Sequence, residues 1–369
     1  MSNYTIQDIF QKYGNDYISK HKLSKEQWKV YNAIIKCKTK NLGIHTMTCS
    51  ECGETFISFN SCRNRHCPMC QAYKREKWIE KESNYLLNCP YFHIVTTIPY
   101  ELNEIILYNK KVCYQILFEA TSESILELCN DPKWLGAKVG ITSILHTWGQ
   151  TMEFHPHIHS IVTGGGINNN HWINSNNDYL IKVQVLSSLF KGKFLSKLKH
   201  LELNLPNSLK HLKDIKQFNN FLRPLYNKQW VEFIEPPKGS PENVIEYIGR
   251  YSFRVAISND RIKSIDNGFV TFEYKDYKDN AKIKNMTITA EEFIRRFLLH
   301  ILPDKFTKIR HYGILTNRSK TNNIKFARLL IRQQIFSDFT STLKRKVKDL
   351  TCPNCGSAFL TFNYFYVST

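Results

Sequence analysis

Apolar positions along this chain change period several times, and each change marks an element. Residues 1–36 read as helical and basic, with Trp28, Val30, Tyr31, Ile34 and Ile35 forming an apolar stripe. Residues 37–70 lack long apolar runs, and 71–88 return to a helical pattern. A larger domain opens near Cys89. Residues 91–98 are β-branched and aromatic and stop at Pro99, as a buried strand would. A helix is expected over 102–130, with strands over 137–145 and 157–163. Gly164-Gly165-Gly166 then suggests a tight turn, and the Asn-rich stretch 167–180 a loop. Residues 181–222 are basic and mostly helical, and 230–234 form a strand closed by Pro236-Pro237. Ser240 and Pro241 suit the N-cap and first position of a further helix. Residues 269–274 alternate as a strand does, and Thr289-Ala290-Glu291-Glu292 resembles a capping box opening a helix through Phe297 and Leu298. Strands interspersed with helices around a sheet give an α+β class.

Charge narrows the partner. Among 369 residues, 51 Lys and Arg face 32 Asp and Glu, a net +19 with a pI near 9.4. That excess favours a polyanion, nucleic acid by default. No apolar core follows Met1 and no run of 18 apolar residues occurs, so neither a secretory signal nor a membrane-spanning helix is expected. Eleven cysteines in such a chain point to a reducing compartment, where thiols hold metal rather than form disulfides. The expected location is cytoplasmic and nucleoid-associated.

Six of those cysteines and two histidines crowd into residues 37–70, a segment expected to need metal to fold. Cys49, Cys52, Cys67 and Cys70 form C-x2-C-x14-C-x2-C, four thiolates of the kind that bind structural Zn²⁺ tetrahedrally. Cys37, His45, Cys62 and His66 supply either a second four-ligand site or packing and surface polarity. One or two structural zinc sites are therefore expected. Arg63, Arg65, Lys74, Arg75 and Lys77 flank the knuckles as candidate DNA contacts. The basic tail ends in a separate pair, Cys352 and Cys355, which is half a metal site needing His311 or another ligand, or else a turn with two buried thiols.

Two further motifs carry chemistry. His155-Pro156-His157-Ile158-His159 places alternate imidazoles on one face of a strand. Burying several imidazoles without a partner is costly, so His157 and His159 are expected to hold a divalent metal. His155 is preferred as third ligand, with Gln150 and His146 as alternatives. Phosphate chemistry favours Mg²⁺ or Mn²⁺. Tyr247 and Tyr251 stand at i,i+4 of the expected helix beside Arg250 and Arg254. Such an aromatic pair serves either as core or as a pair of nucleophiles.

These motifs, together with residues 60–71, the 247–258 run and Glu292-Phe293-Ile294-Arg295-Arg296-Phe297, resemble the HUH-type rolling-circle transposases of the insertion sequence 91 family over nearly the whole chain. The resemblance implies an HUH endonuclease core, an antiparallel sheet flanked by helices, behind an N-terminal zinc module. It implies single-strand DNA cleavage and strand transfer at transposon ends and target DNA. Tyr247 and Tyr251 match the catalytic tyrosines, and His157 and His159 the HUH histidines. The expected layout is a helical segment 1–36, a zinc module 37–75, a strand-transferase core 89–260 and a DNA-associated region 261–369. A rolling-circle replication initiator would use the same histidines with a tyrosine, and a transposase-derived DNA-binding protein would use only the zinc module. A zinc hydrolase of the H-x-H-x-D-H type is disfavoured by Ser160 and Ile161.

Overall fold

The structure is a computed structural model describing residues 4–176, 179–230, 232–235, 243, 244, 246, 249, 253, 256–331 and 354–356, with the backbone of 360–365. Tyr247, Arg250, Tyr251, Arg254, Cys352 and the expected Ser240–Pro241 helix start lie outside the described residues.

Two helices open the chain, α1 (Ile6–Lys20) and α2 (Lys25–Lys36). Each begins in a reciprocal capping box, Thr5 with Asp8 and Ser24 with Gln27, which satisfies backbone N–H groups that the first turn leaves unpaired. The hairpin β1 (Ile44–Cys49) and β2 (Thr55–Phe59) follows, then α3 (Gln71–Ser83). Next come β3 (Tyr91–Thr97), α4 (Asn103–Tyr108) and α5 (Lys110–Asn130). The single helix expected over 102–130 breaks at Asn109, whose side chain donates to the carbonyls of Ile105 and Asn204 and accepts from Asn204 N–H. Two long strands come next, β4 (Lys138–Trp148) and β5 (Phe154–Asn168), then the short β6 (His171–Asn174). Helices α6 (Val183–Lys199) and α7 (Ile215–Asn227) lead to β7 (Glu232–Glu235). A meander of β8 (Ile262–Asp266), β9 (Phe269–Asp276) and β10 (Lys282–Thr289) runs into α8 (Ala290–Leu299), and β11 (Ile309–Gly313) and α9 (Lys320–Leu330) follow. The last described element is β12 (Leu360–Phe365).

The largest sheet is antiparallel, in the order β11-β4-β5-β3-β7, with β6 on the far end of β5. Its two faces do different work. Phe92, Ile94, Ile141, Leu145, Ile158 and Val162 point into helices α5 and α6, where Phe118, Phe190 and Phe194 are fully buried. Each such side chain contributes about 1.5–3 kcal/mol of burial. The opposite face carries Tyr91, Ile144 and Ile161 under Leu87, Ile324 and Ala327, with Val244 packed on the same cluster. This is the histidine face, because strand alternation puts His159 with Ile161 and His146 with Ile144.

The sheet reaches beyond residue 260, where the sequence pattern closes the core: β11 pairs with β4 from Ile309 to Gly313. Its residues, Ile-Arg-His-Tyr-Gly, lack the apolar signature that marks the other strands. Nor do α1 and α2 stand apart. Phe10 of α1 meets Phe297 of α8 edge-on at 5.3 Å, in a core shared with Val30, Tyr31 and Ile34 and with Phe272 and Phe293.

The glycine run is strand rather than turn. β5 continues through Gly164, Gly165 and Gly166. A Cβ on Gly165 would lie 2.6 Å from the Trp172 ring, and one on Gly166 2.7 Å from the Lys138 carbonyl oxygen. The glycines let neighbouring chain approach closely. The loop expected over 167–180 likewise contains β6, which pairs with those glycines.

Candidate active site and metal centres

Three strands converge on the histidines. β5 supplies His157 and His159, and β4 places His146 directly across from His157. These three imidazoles each offer a nitrogen to one point, all within 4.8 Å of one another. The His157 Nε2 lies 3.0 Å from the His159 Nε2. His157 Nδ1–H donates to the His155 carbonyl at 2.7 Å, which leaves the Nε2 lone pair facing the cluster. On the other side, His159 Nδ1 meets His93 Nε2 of β3 at 2.9 Å, and His93 Nδ1 faces Glu235 Oε2 of β7 at 3.5 Å. Protons placed on His159 Nδ1 and His93 Nδ1 satisfy this whole chain and free the His159 Nε2. A carboxylate–imidazole chain behind a ligand nitrogen fixes its tautomer and orientation. Burial holds the pKa of His157 down at about 3 and that of His159 well below the ordinary value, so both are neutral, ligand-competent imidazoles at neutral pH.

The preferred third ligand from the sequence, His155, is not in this group. The β4–β5 register shifts between His146 and Trp148, and the extra β5 residue falls beside His155. A bulge breaks strict alternation, so parity no longer predicts the face. Gln150 is engaged elsewhere, its Oε1 accepting from Lys275 N–H at 3.4 Å. His146 takes the place instead. Spacing alone missed His93 and Glu235. The signal for His93 was an imidazole on an otherwise apolar strand; for Glu235 there was none.

Beside this face opens a cavity of about 320 Å³, lined among others by Arg65, Lys74, Trp148, His300 and Lys308. Trp148 stacks on His146 at 4.8 Å between centroids. Burial pulls the Lys308 pKa down to about 7. Gly249, between the two tyrosines in sequence, sits on α3, where a Cβ would meet Ile79 at 2.4 Å. Val244, ahead of them, packs on the histidine-face cluster.

The thiols assemble differently from their spacing in sequence. Cys37, Cys62, Cys67 and Cys70 form one group within 4.8 Å, with Cys62 and Cys70 sulfurs 3.8 Å apart. Hydrogen bonds from Cys62, Cys67 and Cys70 favour the Cys37 thiolate, while facing that charge pushes the Cys67 thiol up. Four thiols so close cannot all ionise without a cation, and tetrahedral Zn²⁺ fits them. Cys49 and Cys52, expected to share that site, group with Cys355 instead. The remaining expected ligands are in neither group. His45 Nδ1 pairs with Asn60 Oδ1 at 3.0 Å. His66 Nε2 accepts from Leu302 N–H at 3.4 Å, and burial lowers its pKa to about 3. His311, a candidate partner for the tail cysteines, lies beside Thr142 and Glu82. Nor is the tail a turn with two buried thiols, since Cys355 is exposed.

Of the basic residues flanking the knuckles, Arg65 is committed to the protein, donating to the carbonyls of Phe306 and Pro303. Arg75 pairs with Glu76, whereas Arg63 keeps an exposed side chain.

Two family models match the chain. Residues 9–98 match the family described as "Transposase zinc-binding domain", and residues 140–323 the family described as "Putative transposase". The chain is 41% identical to "Putative transposase y4qJ" of Sinorhizobium fredii, over 93% of this chain and 88% of that protein. It is 27% identical to "Transposase for insertion sequence element IS801" of Pseudomonas savastanoi pv. phaseolicola, over 77% of this chain and 69% of that one. No solved structure matches significantly.

Proposed function

The chain belongs to the transposases of the insertion sequence 91 family, and from that premise we propose that it cuts and rejoins single-stranded DNA at the ends of its element by an HUH-type, rolling-circle mechanism. The observation that carries the reading is the pair of Nε2 atoms of His157 and His159, 3.0 Å apart on the central strand and joined by His146. A Mg²⁺ or Mn²⁺ ion bound there would polarise the scissile phosphate and offset charge on the leaving oxygen.

The phenolic oxygen of Tyr247 or Tyr251 attacks phosphorus. A phosphorus–tyrosine oxygen bond forms as the phosphorus–3′ oxygen bond breaks. The 5′ end stays on the protein, and the 3′ oxygen leaves and takes up a proton. The free 3′-OH can then attack another junction. The second tyrosine allows a second cleavage before the first bond is resolved. Each step exchanges one phosphodiester for another, so no nucleotide triphosphate is consumed. A phenol of pKa about 10 needs its proton drawn off as it attacks. Val244 packs on the histidine-face cluster and Gly249 on α3, and these two residues flank Tyr247 in sequence. The neighbouring cavity, with Lys74 and Lys308 in its lining, suits a phosphate of single-stranded DNA. In this reading the residue 89–260 core, completed by β11, does the chemistry, while the zinc module and the exposed Arg63 hold DNA.

The test is a denaturing gel of the protein with labelled single-stranded DNA spanning its element's ends and target junction, with Mn²⁺ or Mg²⁺. A metal-dependent covalent adduct, absent in the His157→Ala/His159→Ala and Tyr247→Phe/Tyr251→Phe variants, is expected. Binding without any adduct across several junction substrates points instead to a DNA-binding protein without strand-transfer activity.

A further inference from the structure

We propose that two segments 306 residues apart build a second zinc centre, distinct from the Cys37 cluster, with Cys49 and Cys52 of the N-terminal module and Cys355 as ligands.

Three observations meet at this point. The sulfur atoms of Cys49, Cys52 and Cys355 lie within 4.8 Å of one another, with Cys49 and Cys355 only 3.7 Å apart. The backbone brings them there by design of the sheet. β12 pairs antiparallel with β1 in unbroken register, from Ile44 opposite Phe365 to Cys49 opposite Leu360, so the strand that leads into Cys49 is the one the tail grips. The turns themselves also match. Cys52 is followed by Gly53 at φ +70° and Cys355 by Gly356 at φ +75°. A left-handed glycine directly after the cysteine bends the chain around its own sulfur. In the first turn, Gly53 N–H donates to the Cys49 carbonyl at 2.9 Å and Cys49 N–H to the Glu54 carbonyl at 2.8 Å. Asn354 Nδ2 approaches the Cys52 sulfur at 3.8 Å, as an N–H donor to a thiolate would.

Thiolates in this arrangement call for a soft, tetrahedral cation, and Zn²⁺ is the abundant one. Tetrahedral coordination takes a fourth donor. A water molecule can supply it. The alternative for two sulfurs this close is a disulfide between Cys49 and Cys355, which would leave Cys52 as an exposed thiol. The proposal does not depend on the strand-transfer chemistry and is read without any activity assay.

The experiment is zinc counting on the full-length chain by elemental mass spectrometry, alongside the cobalt-substituted protein, whose thiolate-to-metal absorption reports sulfur ligation. About two thiolate-bound ions per chain are expected in the wild type, the histidine cluster adding nothing to the thiolate band. Cys355→Ser and Cys49→Ser should each remove about one ion and about half of the cobalt band, and Cys355→His should keep the ion. Cys62→Ser should remove the other ion and leave this one. A wild-type count of about one thiolate-bound ion overturns the proposal. So does an unchanged count in Cys355→Ser, or a Cys49–Cys355 disulfide in the non-reduced intact mass. Because the wild-type count alone can decide, a variant that fails to fold does not shelter the idea.

Discussion

His146 on β4 is the register partner of His157 on β5, and the two rings, 5.5 Å apart, share a point with His159. A cross-strand neighbour thus stands where the same-strand His155 was expected. His146→Ala should weaken Mn²⁺ binding about 10–100-fold, whereas His155→Ala should leave it nearly unchanged. Calorimetric titration of both variants with Mn²⁺ decides between them, and equal losses would return His155 to the ligand set.

Glu235 and His93 lie one layer further out. Glu235→Gln keeps the shape of the side chain but removes the charge that orients His93, and through it His159. A loss of about 10-fold or more in Mn²⁺ affinity is expected. His93→Ala should do at least as much. Normal affinity in both variants would reduce this chain to packing.

The Cys37 cluster ties α2 to the turn that launches α3. Cys37 ends α2 and Cys70 precedes α3, and both join the core shared by α1 and α8. Cys70→Ser should therefore cost an ion and lower the melting temperature cooperatively for that whole unit, not only for the module. Zinc chelation of the wild type should reproduce the shift.

Glu292 provides a pH signature. Hydrogen bonds from Arg295 and Arg296 lower its pKa to about 2 from an ordinary 4.5. A carboxylate depressed in the folded state stabilises it above pH 4.5, and that contribution disappears as pH falls towards 2. The difference in unfolding free energy between wild type and Glu292→Gln should be widest at neutral pH and close across that window. A pH-independent difference would mean the pair contributes through packing alone.

Gly165→Val would thrust a branched side chain into the Trp172 ring. Overpacking of this kind costs about 1–3 kcal/mol. Denaturant unfolding should show it, while Gly192→Ala, with open space around its Cβ position, should not.

Much of the site was legible because it sits on regular elements. The strand expected over 91–98 is Tyr91–Thr97, and that over 137–145 begins the longer Lys138–Trp148. Alternation correctly put His157 and His159 together. It failed at His155, where a bulge adds a residue that no local pattern announces. The six cysteines of residues 37–70 were legible as ligand candidates, but neither their grouping nor the absence of His45 and His66 from both groups was, because grouping depends on where distant segments meet. Cys355 is 306 residues from Cys49, a separation over which spacing carries no information. The glycine run misled for a related reason: lacking a side chain serves a turn and a crowded strand equally.

The β1–β12 ladder also sets an order of events during synthesis. Domains ordinarily settle one after another as the ribosome delivers them. Here the hairpin Ile44–Phe59 must wait for Leu360–Phe365, made about 300 residues later, before its sheet gains a third strand. The loop closed by that meeting spans about 300 residues, so it is among the slower contacts the polypeptide can form. A chain cut short before Leu360 would therefore leave the Ile44–Cys49 strand without its second neighbour, so a truncation far along the sequence would be felt in the N-terminal module.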